Sequence, residues 1–174
     1  FECTGALLLG MPGASGGASV QVSGGGRVTA RELIIGRSAA GGTVTVDGLN
    51  GGTARLEVAD DIVVGERGPG QLHVRNGAGA GFTTAARILV VTPDATGNGE
   101  VTVEGTDSLL DIPSGALHVA RGGPGRLNVT GGGRVTTTSL NVGTSLVDAP
   151  DAPGTVLISG GQSTVVLREG SASL

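Results

Sequence analysis

The sequence predicts an all-β fold: a right-handed parallel β-helix (β-solenoid) of about six turns, each of roughly 27 residues with three short strands. Three observations predict it. A V-x-V-like tetrad recurs six times along the chain, an L-x-V-G-like tetrad recurs six times between those copies, and the apolar content is almost wholly aliphatic.

The first ladder reads VQVS at Val20, VTVD at Val44, LHVR at Leu72, VTVE at Val101, LNVT at Leu127 and VLIS at Val156, in steps of 24, 28, 29, 26 and 29 residues. The second reads LLLG at Leu7, LIIG at Leu33, IVVG at Ile62, ILVV at Ile88, LHVA at Leu117 and LNVG at Leu140, in steps of 26, 29, 26, 29 and 23. Apolar residues alternate within each tetrad, and strict alternation over a short run is the signature of a half-buried strand. A weaker third strand per turn fits RVTA, ARLEV, SLLDI and TVVL. Four-residue segments bounded by glycine leave no room for helices. One turn cannot bury its own apolar face, so the turns must stack. Six turns at ~4.8 Å each make a rod of roughly 29 Å.

The residue after each V-x-V-z tetrad is Gly24, Gly48, Asn76, Gly105, Gly131 or Gly160. Five glycines and an asparagine fit a turn position with positive φ, since Asn tolerates the left-handed region best after Gly. This accounts for the stretch GGGRVT, which occurs at Gly24–Thr29 and again at Gly131–Thr136. A phosphate-binding loop of that composition requires a helix after it, and none is predicted. The stretch is a recurring turn.

Composition narrows the core. The 174 residues include 35 Gly, no Trp or Tyr, and only two Phe, Phe1 and Phe82. Aromatic side chains each bury about 150–250 Å² and fill wide interiors, so a chain without them needs a narrow, aliphatic-lined one. The net charge is -4, and the eleven basic residues are all Arg and scattered, which argues against a nucleic-acid surface. The lone Cys3 permits no internal disulfide. The opening FECTGALLLGMPGASG lacks a basic flank and a long apolar run, so it is not a signal peptide, and no stretch reaches the ~18 apolar residues of a membrane helix. The chain reads as a single segment, residues 1–174, of three double-turn repeats cut within a turn at each end.

VGERGPGQLHVRNG (Val64–Gly77), VARGGPGRLNVTGGG (Val119–Gly133) and GEVTVEGTDSLL (Gly99–Leu110) give the chain a resemblance to a known family. The alternation of these motifs resembles the type V secretion and PEP-CTERM-associated repeat of bacterial surface proteins. That resemblance implies a β-solenoid passenger exported to the cell surface or beyond, like part of an autotransporter. Val91 and Ala120 stand where the other L-x-V-G tetrads carry Gly, and GFTTAARILVV is a degenerate copy.

The outward columns hold the candidate chemistry. The second outward position of the V-x-V tetrads runs Ser23, Asp47, Arg75, Glu104, Thr130, Ser159. Asp47 and Glu104 flank Arg75, which reads as a surface charge ladder alternating in sign rather than a catalytic carboxyl pair. Asp60 and Asp61 are adjacent, so in extended chain they point opposite ways and read as a solvated loop. His73 and His118 fall in different strand families, hence on different faces, with no third ligand at metal spacing. GGPGRL and GERGPG lack the Asp of a calcium-binding nonapeptide, and no serine elbow precedes a helix. Asn128-Val-Thr130 is a formal glycosylation sequon, read as unused in a bacterial chain. Thr45 and Thr102 share a column, but Gln21, His73, Asn128 and Leu157 interrupt it, too irregular for an ice-binding row.

No catalytic, cofactor or metal residue is therefore assigned. The expectation is a non-enzymatic structural or adhesive segment, met by glycans or proteins through its loops, with no nucleic-acid partner and no membrane span. Its open ends are expected to allow end-to-end self-association. The rival reading is a fragment of a polysaccharide-active β-helix enzyme, a lyase or glycoside hydrolase. A groove bearing two carboxylates, or Asp with Arg, across neighbouring turns would favour that rival.

Overall fold

The computed structural model describes residues 1–49, 53–82, 88–143, 152–168 and 172–173. Among the described residues, the named elements are all strands. The first turns contain β1 (Glu2–Leu9), β2 (Ala18–Ser23), β3 (Arg27–Ile35), β4 (Gly42–Asp47), β5 (Arg55–Val58) and β6 (Ile62–Val64). The middle turns contain β7 (Pro69–Arg75), β8 (Gly79–Phe82), β9 (Leu89–Val91), β10 (Asn98–Glu104), β11 (Leu109–Asp111) and β12 (Ala116–Val119). The last contain β13 (Gly125–Thr130), β14 (Arg134–Thr137), β15 (Ser139–Val142), β16 (Gly154–Ser159), β17 (Thr164–Leu167) and β18 (Ala172–Ser173).

All pairings are parallel, and they build a β-solenoid. The V-x-V strands stack as one six-stranded sheet in the order β16-β13-β10-β7-β4-β2. The other strands form a sheet in which β17, β14, β11, β8 and β5 lead to β3, followed by β6, β9, β12, β15 and β18. Strand β3 joins the two arms: its residues Arg27–Ala30 pair with β5, and Leu33–Ile35 pair with β6. Each turn thus crosses three faces, as the spacing predicts.

Registers on the six-stranded face match the columns read from the sequence. Val22 pairs with Val46, Val46 with Val74, Val74 with Val103, Val103 with Val129, and Val129 with Ile158. The steps are those of the first ladder, 24 to 29 residues. Leu72, Val74, Val101, Val103, Leu127 and Val129 are fully buried. Each such side chain contributes about 1.5–3 kcal/mol relative to leaving it in water. Among the described residues the interior is one continuous aliphatic cluster running from Leu9 to Val142.

Two glycine columns make the corners. Gly24, Asn76, Gly105, Gly131 and Gly160 have φ of 59°, 56°, 88°, 58° and 85°, the positive values that the turn after the V-x-V strand predicts; Gly48, the remaining member of that column, is not among the positive-φ residues. Where the chain enters that strand, Gly42, Gly70, Gly99, Gly125 and Gly154 lie in register. A Cβ on Gly70 would run into the Gly65 amide nitrogen and the Ile35 carbonyl, and one on Gly125 into the Ala120 amide nitrogen. The first column is required by backbone sign, the second by close approach of two strands at a corner.

The second ladder needs one correction. Leu89, not Ile88, pairs with Ile62 and Leu117, and Val91 pairs with Val64 and Val119. Val91 is therefore a buried core residue, and Thr92 occupies the glycine position. A one-residue slip exchanges the inward and outward sets, and Ile88 is accordingly 36% exposed. The turn column becomes Gly10, Gly36, Gly65, Thr92, Ala120 and Gly143, with φ between 57° and 76° throughout. Of the degenerate copy GFTTAARILVV, residues 83–87 lie outside the described residues.

Candidate functional site

The outward columns show where the candidate residues go. Asp47 and Arg75 are ion-paired at 2.8 Å across adjacent rungs. The ladder is not purely a surface feature, however, because Asp47 is 0% exposed. Its carboxylate accepts from the Asn76 side-chain amide at 2.9 Å, the Leu49 backbone amide at 3.1 Å and Arg75 Nε at 2.8 Å. Burial pushes this carboxyl up, but the Asn76, Leu49 and Arg75 donors together outweigh it and hold it below the usual carboxylate range. Asp47 therefore ties down the turn at the end of β4, a role that alternating charge did not reveal.

Asp60 pairs with Arg31 at 2.8 Å, while Asp61 accepts the Ile88 amide at 3.3 Å. The doublet serves two separate partners, as its extended geometry predicts. His73 lies on β7 of the six-stranded face and His118 on β12 of the other sheet, so they do not converge. Partial burial lowers the pKa of both imidazoles, with Arg121 adding to the effect at His118. The Asn128 amide donates to Glu100 Oε1 at 2.7 Å, which engages the sequon's side chain in a rung-to-rung bond. Thr45, His73 and Thr102 do share one column with Gln21, Asn128 and Leu157. Among the described residues, no group of three or more His, Cys, Asp or Glu side chains is placed to hold a metal ion. Among the same residues, no helix is long and apolar enough to cross a membrane.

The surface also carries a slot that no column of the sequence marks. On the face built from β5, β8 and β11, outward positions are in register as Arg55, Gly79, Leu109 and as Glu57, Gly81, Asp111. Strand β8, GAGF, thus carries no side chain at either outward position. The result is a slot of about 340 Å³ lined by these six residues together with Leu56 and Ala80. Gly81 packs so closely on the Asp111 backbone that no Cβ fits there. At Gly79 there is room, and the nearest atom to an added Cβ is Arg55 Nη1 at 3.6 Å.

The two carboxylates at one end of the slot already have partners. Glu57 is paired with Arg27, and Asp111 accepts from the Thr136 hydroxyl and pairs with Arg168 at 3.4 Å. The strands bearing them are two rungs apart, ~9.6 Å. The sequence signal was present in GAGF, but it is a missing property, visible only once neighbouring rungs are aligned.

Fold and surface define a parallel β-solenoid whose faces carry polar ladders and, over β8, a shallow slot. Comparison with protein-family models, with curated proteins and with solved structures gave no match.

Proposed function

We propose that this chain is a structural and adhesive stretch of a bacterial surface or secreted protein, a rod of the kind found in autotransporter passengers, without catalytic activity of its own. The observation that carries the reading is the direction of the ion pairs. Arg27–Glu57, Arg31–Asp60, Arg37–Glu66, Arg67–Asp94, Asp47–Arg75 and Asp111–Arg168 each join different turns. Charge here works as axial stitching between rungs rather than converging on a reacting centre. Individually the exposed pairs contribute about 0–1 kcal/mol, though repetition makes them a network. The motif resemblance to type V secretion and PEP-CTERM-associated repeats supports an exported rod.

The enzyme reading has one observation in its favour, the slot flanked by Glu57 and Asp111 with Arg55 beside them. Inverting glycosidases separate their carboxyls by about 6.5–9.5 Å and keep one of them protonated. Glu57 and Asp111 are instead each engaged in an ion pair with a guanidinium from another turn. That arrangement suits binding better than acid catalysis.

The test uses the source bacterium and the purified chain. Membrane-impermeant labelling of intact cells should tag the parent protein, and incubation of the chain with acidic polysaccharides should release no reducing ends or unsaturated products. Failure to label, or turnover abolished by Glu57→Gln, would overturn the reading.

A further inference from the structure

We infer that the slot over β8 is a binding site for an acidic saccharide, a hydroxylated ring that carries a carboxylate. The geometry begins with an omission: at β8 both outward positions are glycine, whereas β5 and β11 on either side carry side chains at both. Removing one rung's worth of side chains from an otherwise continuous face opens about 340 Å³, with main chain as its floor.

The charges around this opening are not equivalent. Glu57 is neutralised by Arg27, and Asp111 by Arg168. Asp111 also accepts from the Thr136 hydroxyl, and carboxylates whose charge is already paired suit further hydroxyl donors better than an ammonium ion. Arg55 differs: among the described residues its guanidinium has no carboxylate partner within salt-bridge distance, and it reaches over Gly79 into the opening. A guanidinium without a counter-ion matches a carboxylate through two parallel N–H donors. Leu109, across the slot from Arg55, offers an aliphatic wall to the C–H face of a ring. The complement is therefore a ligand with an oxyanion at the Arg55 end and hydroxyls at the Glu57 and Asp111 end, which describes a uronate unit of a polysaccharide.

The site goes beyond the rod reading and stands or falls separately from it, since affinity is measured without reference to export or turnover. Calorimetric titration of the 174-residue chain would use a tetragalacturonide, with neutral maltotetraose as the size-matched control. Expected is binding of the acidic oligomer at least about tenfold tighter than the neutral one, with a loss of about tenfold or more in Arg55→Gln. Gly79→Val puts an aliphatic side chain into the opening, where its Cβ meets only the end of Arg55, in a strand position that valine favours. It should abolish binding while leaving thermal unfolding unchanged or raised. Equal affinity for the two oligomers, no heat from the acidic one, or retained binding in folded Gly79→Val would overturn the assignment. Should Gly79→Val fail to fold, the Arg55→Gln titration decides, and an unchanged affinity there overturns it.

Discussion

The hydroxyl of Thr92 donates to the Pro124 carbonyl at 2.7 Å and accepts the Gly99 amide at 2.7 Å, linking a corner of the solenoid to the strand that follows and to the next turn. Thr92 is fully buried with φ of 57°, a left-handed conformation that β-branched residues rarely adopt. Its column-mates Gly10, Gly36, Gly65 and Gly143 meet the same backbone requirement without a side chain. The two hydrogen bonds offset a strain of order 1–3 kcal/mol.

Three substitutions separate strain from bonding. Thr92→Val keeps the shape and the strain but leaves the Gly99 amide and the Pro124 carbonyl without the hydroxyl, and should lower stability by about 2–4 kcal/mol. Thr92→Gly loses the same bonds and relieves the backbone, so it should cost less than Thr92→Val. Thr92→Ser keeps the hydroxyl and should stay within about 1 kcal/mol of the parent. Denaturant unfolding would rank the three, and Thr92→Gly falling below Thr92→Val would contradict this account.

Asp47 predicts an acid-labile turn. A carboxyl held below its usual pKa stabilises the fold above that usual value, ~3.9, and the contribution is lost as pH falls through the folded value. Asp47→Asn should therefore flatten the acid limb of the stability profile. At neutral pH it should cost about 1–3 kcal/mol, because Arg75 and the Leu49 amide lose a charged acceptor. An unchanged acid limb in Asp47→Asn would count against the arrangement.

The imidazoles act over a different window. His73 and His118 both favour the neutral form when folded, so the unfolded chain takes up protons first as pH drops below ~6.5. Stability from this source is complete above that pH and falls through the window beneath it. Thermal unfolding should show a decline between pH 7 and pH 5 that is smaller in the double variant His73→Gln, His118→Gln. Equal slopes in parent and variant would refute it.

Inward positions on β16 are left half-covered. Ile158 is 49% exposed, although Val129, its partner in the same column, is fully buried. Among the described residues no strand pairs with the outer edge of β16, and such an edge beside an exposed apolar side chain is a template for association. The 174-residue chain should self-associate at micromolar concentration, and Ile158→Lys should shift sedimentation towards the monomer. A parent chain that sediments as a monomer throughout that range would contradict the prediction.

Much of the fold was legible because alternation fixes phase wherever polar residues interrupt it. Val20, Val22, Val44 and Val46 are separated by Gln21 and Thr45, so inward and outward sets are unambiguous. ILVV offers four apolar residues in a row, and period-two reasoning has no phase there. Only stacking on Ile62 and Leu117 selects Leu89 and moves Thr92 to the corner. The strand GAGF is illegible for the opposite reason, since its glycines carry no hydropathic signal. The slot was hidden for the same cause, being made by side chains that β8 lacks. The burial of Asp47 depends on how the corner after β4 closes over it, which column position alone does not encode.

The solenoid pitch is tested most directly by pulsed electron–electron distance measurements between spin labels on one outward column, in a background where Cys3→Ser removes the native thiol. Gln21, Thr45, His73, Thr102, Asn128 and Leu157 lie one rung apart in that order. Labels at Gln21 and Leu157 should therefore give a single distribution centred at ~24 Å, and labels at Gln21 and Asn128 one at ~19 Å, a difference of one ~4.8 Å rung. Distances that fail to grow by a constant increment per rung, or a broad distribution for either pair, would contradict the stacking on which everything else rests.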